Sequence, residues 1–451
     1  SSVFSIMAVN YCMPSAAGEL RRSIGPVRAT AMVVGTILGA SIFVQPSVIS
    51  AQVPSVGGVF AAWAAAGALT LAGALICAEL ASAFPRSGGV YVFLKEAYGP
   101  ALGFLWGWAM LWSMHSGIVA AIAVVFSRYV GHFVPMGPAL TRTAAIGAIL
   151  TLSAINLLGV RQGSALQAGL TIAKVAAVIG IVVIGVALGG RVPEHFVAPP
   201  NAGATAGGFM LAVGAGLFAF GGWHMVTYAG DETVAPERTM PRALVLGTLL
   251  VTACYIALNA VYLYVLPLDV MTASSRVAAD AADVLLGSGG ADVMAGVVIL
   301  STLGALSGIV LAGPRVYYAM AQDGLVFRWF GDVHPTFRTP HRAILLQAVW
   351  SSVLVATGTY AQLFSRVIYT EWIFFALMAA GLLILRRRKD YVPRYTAWGF
   401  SVVPVIFIVA AVAVAVRQIV SAPLDSLIGL TLVAAGLPVY FVWARRPRAG
   451  G

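Results

Sequence analysis

Long apolar runs separated by short polar links constrain this chain more than any other feature. About twelve segments each supply the ~20 apolar residues that cross a bilayer as a helix. They lie near 27–49, 58–84, 101–130, 140–158, 166–188, 208–228, 241–266, 291–318, 341–357, 366–385, 399–420 and 424–443. Hydrophobic residues make up 60% of the chain and charged residues 10%, against about a quarter charged in a soluble protein. A soluble domain cannot bury that much apolar surface, so soluble enzymes, secreted disulfide scaffolds and disordered polymers are excluded. A transmembrane barrel alternates polar and apolar residues, and these runs do not. The sequence predicts an all-α integral membrane protein, with no link long enough for a separate soluble domain.

The net charge of +11 reflects topology rather than nucleic-acid binding, because the arginines sit in short groups between apolar segments. With the N-terminus inside, the inner links hold twenty Lys and Arg and the outer links six. That bias orients both termini to the cytoplasm and predicts a multi-pass protein of the cell membrane. Ser1–Leu20 lacks the basic start and apolar core of a signal peptide and reads as a loose tail, with Met13 as an alternative start. Cys12, Cys77 and Cys254 are too widely spaced for a disulfide framework or a zinc site. No nucleophile–base motif, phosphate loop or metal spacing stands out, so catalytic residues, metals and cofactors are not expected.

Two spans carry glycine-rich interruptions. The first reads Gly35-Thr36-Ile37-Leu38-Gly39-Ala40-Ser41-Ile42-Phe43, and the sixth reads Phe218-Ala219-Phe220-Gly221-Gly222-Trp223. Each opens a block of five spans. Corresponding breaks in two halves predict inverted repeats with a binding site at mid-membrane. Backbone unwound at that depth has free N–H and C=O groups that lipid cannot satisfy. The N–H groups at a helix start suit a carboxylate, and the freed carbonyls suit an ammonium. Such a site recognises a zwitterion without a charged side chain. The competing reading is that these glycines only let helices pack closely.

Lys174 is the one Lys or Arg in mid-span. A lysine at that depth costs ~2.5–3.5 kcal/mol on insertion scales and faces a cavity or a partner. It is a candidate to replace a metal cation, holding carbonyls of the broken first span and hydroxyls of the eighth, or to titrate. Acids inside spans are few: Glu79 near an inner end and Glu371 near an outer one, both read as end-of-helix charges. The zones around the breaks contain no Asp or Glu, which favours a substrate with an uncharged side chain. His224 follows the second break and is a candidate pocket or pH-responsive residue, or a structural histidine. His115 reads as packing. Phe218, just before the second break, is placed to close over a ligand.

These residues and several links together resemble the amino acid–polyamine–organocation superfamily, specifically its L-type amino acid transporters. The links are Ala78–Gly89, with Glu79 and Phe84-Pro85-Arg86-Ser87-Gly88-Gly89; Asp231–Arg242; and Ala312–Gly324, followed by His334-Pro335 and Thr339-Pro340. Trp372 and the basic run Arg386–Lys389 add to them. The resemblance implies a 5+5 inverted-repeat fold of the LeuT type plus two C-terminal helices. The expected boundaries are an N-terminal tail at 1–22, repeats at 23–190 and 191–390, and 391–451 for the last two helices and a basic tail. It implies a carboxylate site at Gly39, Ala40 and Ser41, and an ammonium site near Ile37 and Phe218. It also implies an outer gate at Phe218, and Lys174 where sodium binds in sodium-coupled relatives. Gly39-Ala40-Ser41 departs from the family's usual Gly-Ser-Gly. Ala305 stands where a small hydroxyl residue is common, leaving Ser301, Thr302 or Ser307 as the partner of Lys174. His224 stands in place of asparagine, and Val90 in place of glutamate.

The resulting expectation is alternating-access transport of neutral L-amino acids, by sodium-independent exchange or uniport. The substrate-binding set is Ile37, Gly39, Ala40, Ser41, Phe218, Ala219, Phe220, Gly221, Gly222 and His224. Ser113, Met114, Gly117, Ile122 and Trp372 are the candidate side-chain lining. Proton-coupled symport of an amino acid or amine is the alternative, and a membrane sensor or enzyme on the same scaffold is a third. No cysteine lies in His132–Arg142, where heteromeric members attach a partner subunit, so no disulfide-linked partner is expected.

Overall fold

The computed structural model describes residues 20–189, 205–274, 276–399 and 401–444. The expected tail at 1–22 and the basic C-terminus therefore lie mostly outside the described residues, as do Cys12, Met13 and Arg191. The described chain is mostly helical, with an isolated bridge between Ile24 and Thr233. The first helices are α1 (Pro26–Ile37), α2 (Gln45–Gln52), α3 (Val56–Ala83), α4 (Val90–Tyr98), α5 (Pro100–Ala109) and α6 (His115–Phe133). Next come α7 (Pro138–Leu157), α8 (Val160–Leu188), α9 (Ala206–Ala219), α10 (Pro236–Val265), α11 (Leu268–Ala273), α12 (Val277–Leu286) and α13 (Gly290–Ala312). The last are α14 (Pro314–Gln322), α15 (His341–Thr357), α16 (Tyr360–Leu385), α17 (Val402–Ser421), α18 (Pro423–Ala434) and α19 (Gly436–Ala444). Apolar runs in lipid have no other open-ended solution, because only a helix satisfies its own backbone.

Among the described residues, ten helices are long and apolar enough to cross a membrane. Two of the twelve expected spans fall outside that set. The span at 27–49 is split into α1 and α2, and the one at 341–357 is the 17-residue α15. Starts follow local chemistry. The Ser55 and Thr205 side chains accept from Gly58 and Gly208 N–H at the heads of α3 and α9. Proline opens α1, α2, α5, α7, α10, α14 and α18, where its missing N–H costs nothing.

The centre is built around α1, which packs against α8, α10 and α13. α3 lies along α10, and α6 lies along α13. α17 packs on α16 and α3, and it leaves Val402, Val405, Val409 and Val416 exposed on its outer face. A π-turn at Met110–Met114 joins α5 to α6 in one continuous span. The extra residue in such a turn re-aims the side chains beside it.

Candidate functional site at two broken helices

The first break follows Ile37. Leu38 leaves helical geometry at φ −73°, ψ 80°, and a 3-10 turn at Ser41–Phe43 leads into α2. The second break follows Ala219, where Gly222 takes φ +99° and a 3-10 segment runs from Trp223 to Glu232. Only glycine adopts that φ freely, and a Cβ there would stand 3.2 Å from the Thr36 carbonyl oxygen. The two breaks are in contact crosswise. α1 packs on Trp223–Glu232, and α2 packs on α9. Each half-helix before a break therefore meets the half-helix after the other, so the two broken spans run antiparallel.

Side chains stitch the breaks together. The Tyr255 hydroxyl of α10 shares its proton between the carbonyls of Ile37 (3.1 Å) and Ala219 (2.9 Å). Thr36 Oγ1 lies 3.2 Å from the Gly222 carbonyl. Lys174 Nζ donates to the carbonyls of Gly35 (2.9 Å) and Leu38 (2.7 Å). Those carbonyls end α1, where the helix dipole is negative, so a cation there is favoured twice. The Ser301 hydroxyl lies 3.1 Å from both the Leu38 and Gly39 carbonyls. Of the three candidate hydroxyls, Ser301 reaches the break. Thr302 bonds back to Val298 and Ile299 of its own helix, and Ser307 is buried on α13, nearly two turns further on. Gly304 makes room for the lysine, since a Cβ there would lie 2.3 Å from Lys174 Cε.

The backbone groups assigned to a zwitterion are partly engaged with each other. Gly39 N–H donates to the Ile37 carbonyl at 2.8 Å, and Gly221 N–H to the Phe218 carbonyl at 3.2 Å. With Tyr255 also on Ile37 O, a ligand reaching that carbonyl displaces a donor. Ala40 and Ser41 lead the 3-10 turn, at the end where N–H groups lack partners within the helix. Ala305 lies opposite Gly39, 3.9 Å from where its Cβ would stand. Phe218 is 52% exposed. It lines an apolar cavity of about 720 Å³ with Leu217, Met210, Tyr369, Trp372 and Val414. Ala219 and Phe220 are buried, and Phe220 and Tyr255 pack edge-on against Trp63. Ser113 and Met114 lie in the π-turn, and Gly117 is buried on α6. Ile122 is packed, partly buried, against the core further along α6.

Two readings of the acids change. α16 begins six residues before the expected span, so Glu371 sits within the helix and not at its outer start. The fold then brings Glu371 Oε1 to 3.6 Å from His224 Nε2, so the region of the second break does contain an acid. Sequence distance hid this, because Glu371 and His224 belong to spans far apart in the chain. Tyr255 was also missed. Its only signal was a polar aromatic in mid-span, whose buried hydroxyl needs a partner. Glu79 is a structural charge. It accepts from Arg386 Nε (2.8 Å) and from Ala397 N–H (2.7 Å).

The link motifs converge at one end of the bundle. Arg315 makes a two-pronged pair with Glu232, at 2.7 and 2.9 Å, and both side chains are 0% exposed. Arg86 bonds Glu96 and Asp323, and Lys95 and Tyr91 also hold Asp323. Burial pushes the Asp323 carboxyl up, but the Lys95 and Tyr91 hydrogen bonds and the Arg86 charge hold it below the usual value. Asp231 N–H donates to Ser87 Oγ, and Ile24 N–H to the Glu232 carbonyl.

Crossed broken helices, with a buried lysine on the carbonyls of the first, are the architecture of a membrane carrier. The sequence profile of the amino acid permease family matches residues 24–437, and the chain belongs to that family, whose members transport rather than catalyse. It is 32% identical to the serine/threonine exchanger SteT of Bacillus subtilis, over 95% of this chain and 98% of that protein. It is 30% identical to the human b(0,+)-type amino acid transporter 1, over 94% and 88% of the two chains. It is also 30% identical to the human large neutral amino acids transporter small subunit 2, over 95% and 82%.

Proposed function

We propose that this protein exchanges neutral L-amino acids across the cell membrane without sodium, by alternating access, with both termini in the cytoplasm. The observation that carries the reading is Lys174 Nζ fixed on the Gly35 and Leu38 carbonyls, beside Ser301. A covalently tethered amine stands where freed carbonyls would otherwise recruit a metal cation, so no metal ion need travel with the substrate. The substrate's carboxylate meets the N–H groups of Ala40 and Ser41, with Gly39 released from Ile37. Its ammonium takes the carbonyls around Ile37 and Phe218, and Phe218 closes over it. The crossed packing of the breaks supports two inverted repeats, 23–190 and 191–390. Exchange as the mode, and an uncharged side chain, rest on likeness to the serine/threonine exchanger and the large neutral amino acids transporter subunit. With no cysteine in His132–Arg142, the chain works without a disulfide-linked partner.

The test is uptake of labelled serine, threonine, alanine and leucine into proteoliposomes holding the purified protein. Internal amino acid, sodium and a pH gradient are varied independently. Stimulation by internal amino acid, unchanged when sodium is replaced by potassium, is the expected result. Uptake that requires sodium, or that a pH gradient drives without internal substrate, overturns the reading.

A further inference from the structure

The second break holds a pair of groups that the backbone site does not use. His224 follows Gly222 by two residues, and its side chain is 1% exposed. Rings of Trp106, Trp223, Tyr228 and Phe375 surround it at 4.9–6.0 Å between centroids. Neither of its ring nitrogens has a hydrogen-bond partner. Glu371 faces it from α16 at 3.6 Å, too long for a direct hydrogen bond. The Glu371 side chain retains 12% exposure. Its neighbour Trp372 shares the outer cavity with Phe218, and Trp372 stacks edge-on against Phe375. Both groups are buried, the acid slightly less than the histidine, which aromatic rings wall in.

A carboxyl group in a bilayer interior needs an interaction that justifies its desolvation. An acid and an imidazole that hold one proton between them carry no net charge, whichever has it. Such a pair offers a hydrogen-bonding oxygen without the field of a bare anion. It therefore favours an uncharged side chain with an O–H donor over an alkyl chain, which cannot bond, and over a cation, which meets no net counter-charge. We propose that Glu371, positioned by His224, is the specificity group of the side-chain pocket and selects amino acids bearing a hydroxyl. This rests on the amino acid transport reading above and sharpens it.

The test compares isosteric pairs, threonine against valine and serine against alanine, as labelled substrates in proteoliposomes. The wild-type protein is expected to prefer the hydroxyl member by about tenfold in Vmax/KM, the worth of roughly one hydrogen bond. Glu371→Leu is expected to bring the ratio near unity, chiefly through KM of the hydroxyl substrate. Glu371→Gln, which keeps an acceptor oxygen, is expected to retain most of the preference, and His224→Phe to weaken it. A merely structural role changes both members of a pair alike and leaves the ratio unmoved. A wild-type ratio near unity, or uptake of lysine in preference to threonine, overturns the proposal whether or not the variants fold. A wild-type protein that moves no amino acid overturns the transport reading as well. Uptake with the ratio unchanged in Glu371→Leu overturns this proposal alone.

Discussion

At the scale of single residues, Lys174 carries the strongest expectation. Its two charge-assisted bonds to α1 carbonyls are each worth about 1.5–3 kcal/mol. Lys174→Met keeps the packing against Gly304 but removes both charged bonds, leaving the Leu38 carbonyl with Ser301 alone. Exchange is expected to fall by about tenfold or more while membrane expression persists, as measured by uptake against immunoblot. Normal exchange would remove the lysine's assigned role. Phe218 is half exposed beside the apolar cavity and bears little of the core. Phe218→Ala is therefore expected to slow turnover several-fold, with a melting temperature near that of wild type. Both residues were legible in the sequence because each is an anomaly: a charge in mid-span, and an aromatic before a double glycine. Glu371 was misread because its helix extends beyond the apolar run that marked it.

At the scale of elements, the breaks were legible as glycine clusters, but the device that joins them was not. Tyr255 is one hydroxyl holding two interrupted helices, and its one local mark, a polar aromatic in mid-span, is shared with Tyr262 of the same helix. Tyr255→Phe removes that bridge and leaves the ring packing with Trp63 and Phe220 intact. It is expected to cost about 1–2 kcal/mol, read as a lower melting temperature in detergent. Exchange should slow as well, since the two breaks lose the hydroxyl that ties the Ile37 carbonyl to that of Ala219. A variant with wild-type melting and exchange would show the bridge to be incidental. The π-turn at Met110–Met114 was equally hidden, because a single extra residue in a turn leaves no mark on hydrophobic periodicity.

At the scale of the whole molecule, three motifs far apart in the chain close one end of the bundle together, through Arg86–Asp323, Ser87–Asp231 and Glu232–Arg315. The Glu232–Arg315 pair is fully buried, so losing one partner strands the other. Arg315→Ala is expected to destabilise the protein by about 3–5 kcal/mol, whereas the double variant Glu232→Gln with Arg315→Met is expected to recover much of that loss in thermal unfolding. Equal damage in both would mean that the pair is not the source. The sequence by itself determined that this chain lives in a bilayer as helices, which spans break and where one buried cation lies. Composition and local backbone chemistry act on neighbours along the chain, and they settle those matters. Only the tertiary structure decided what those features meet: Tyr255 between the breaks, Ser301 rather than Thr302 on the freed carbonyls, and Glu371 against His224. Each of these is a contact between helices, fixed by how apolar surfaces pack and by the need of every buried polar group for a partner.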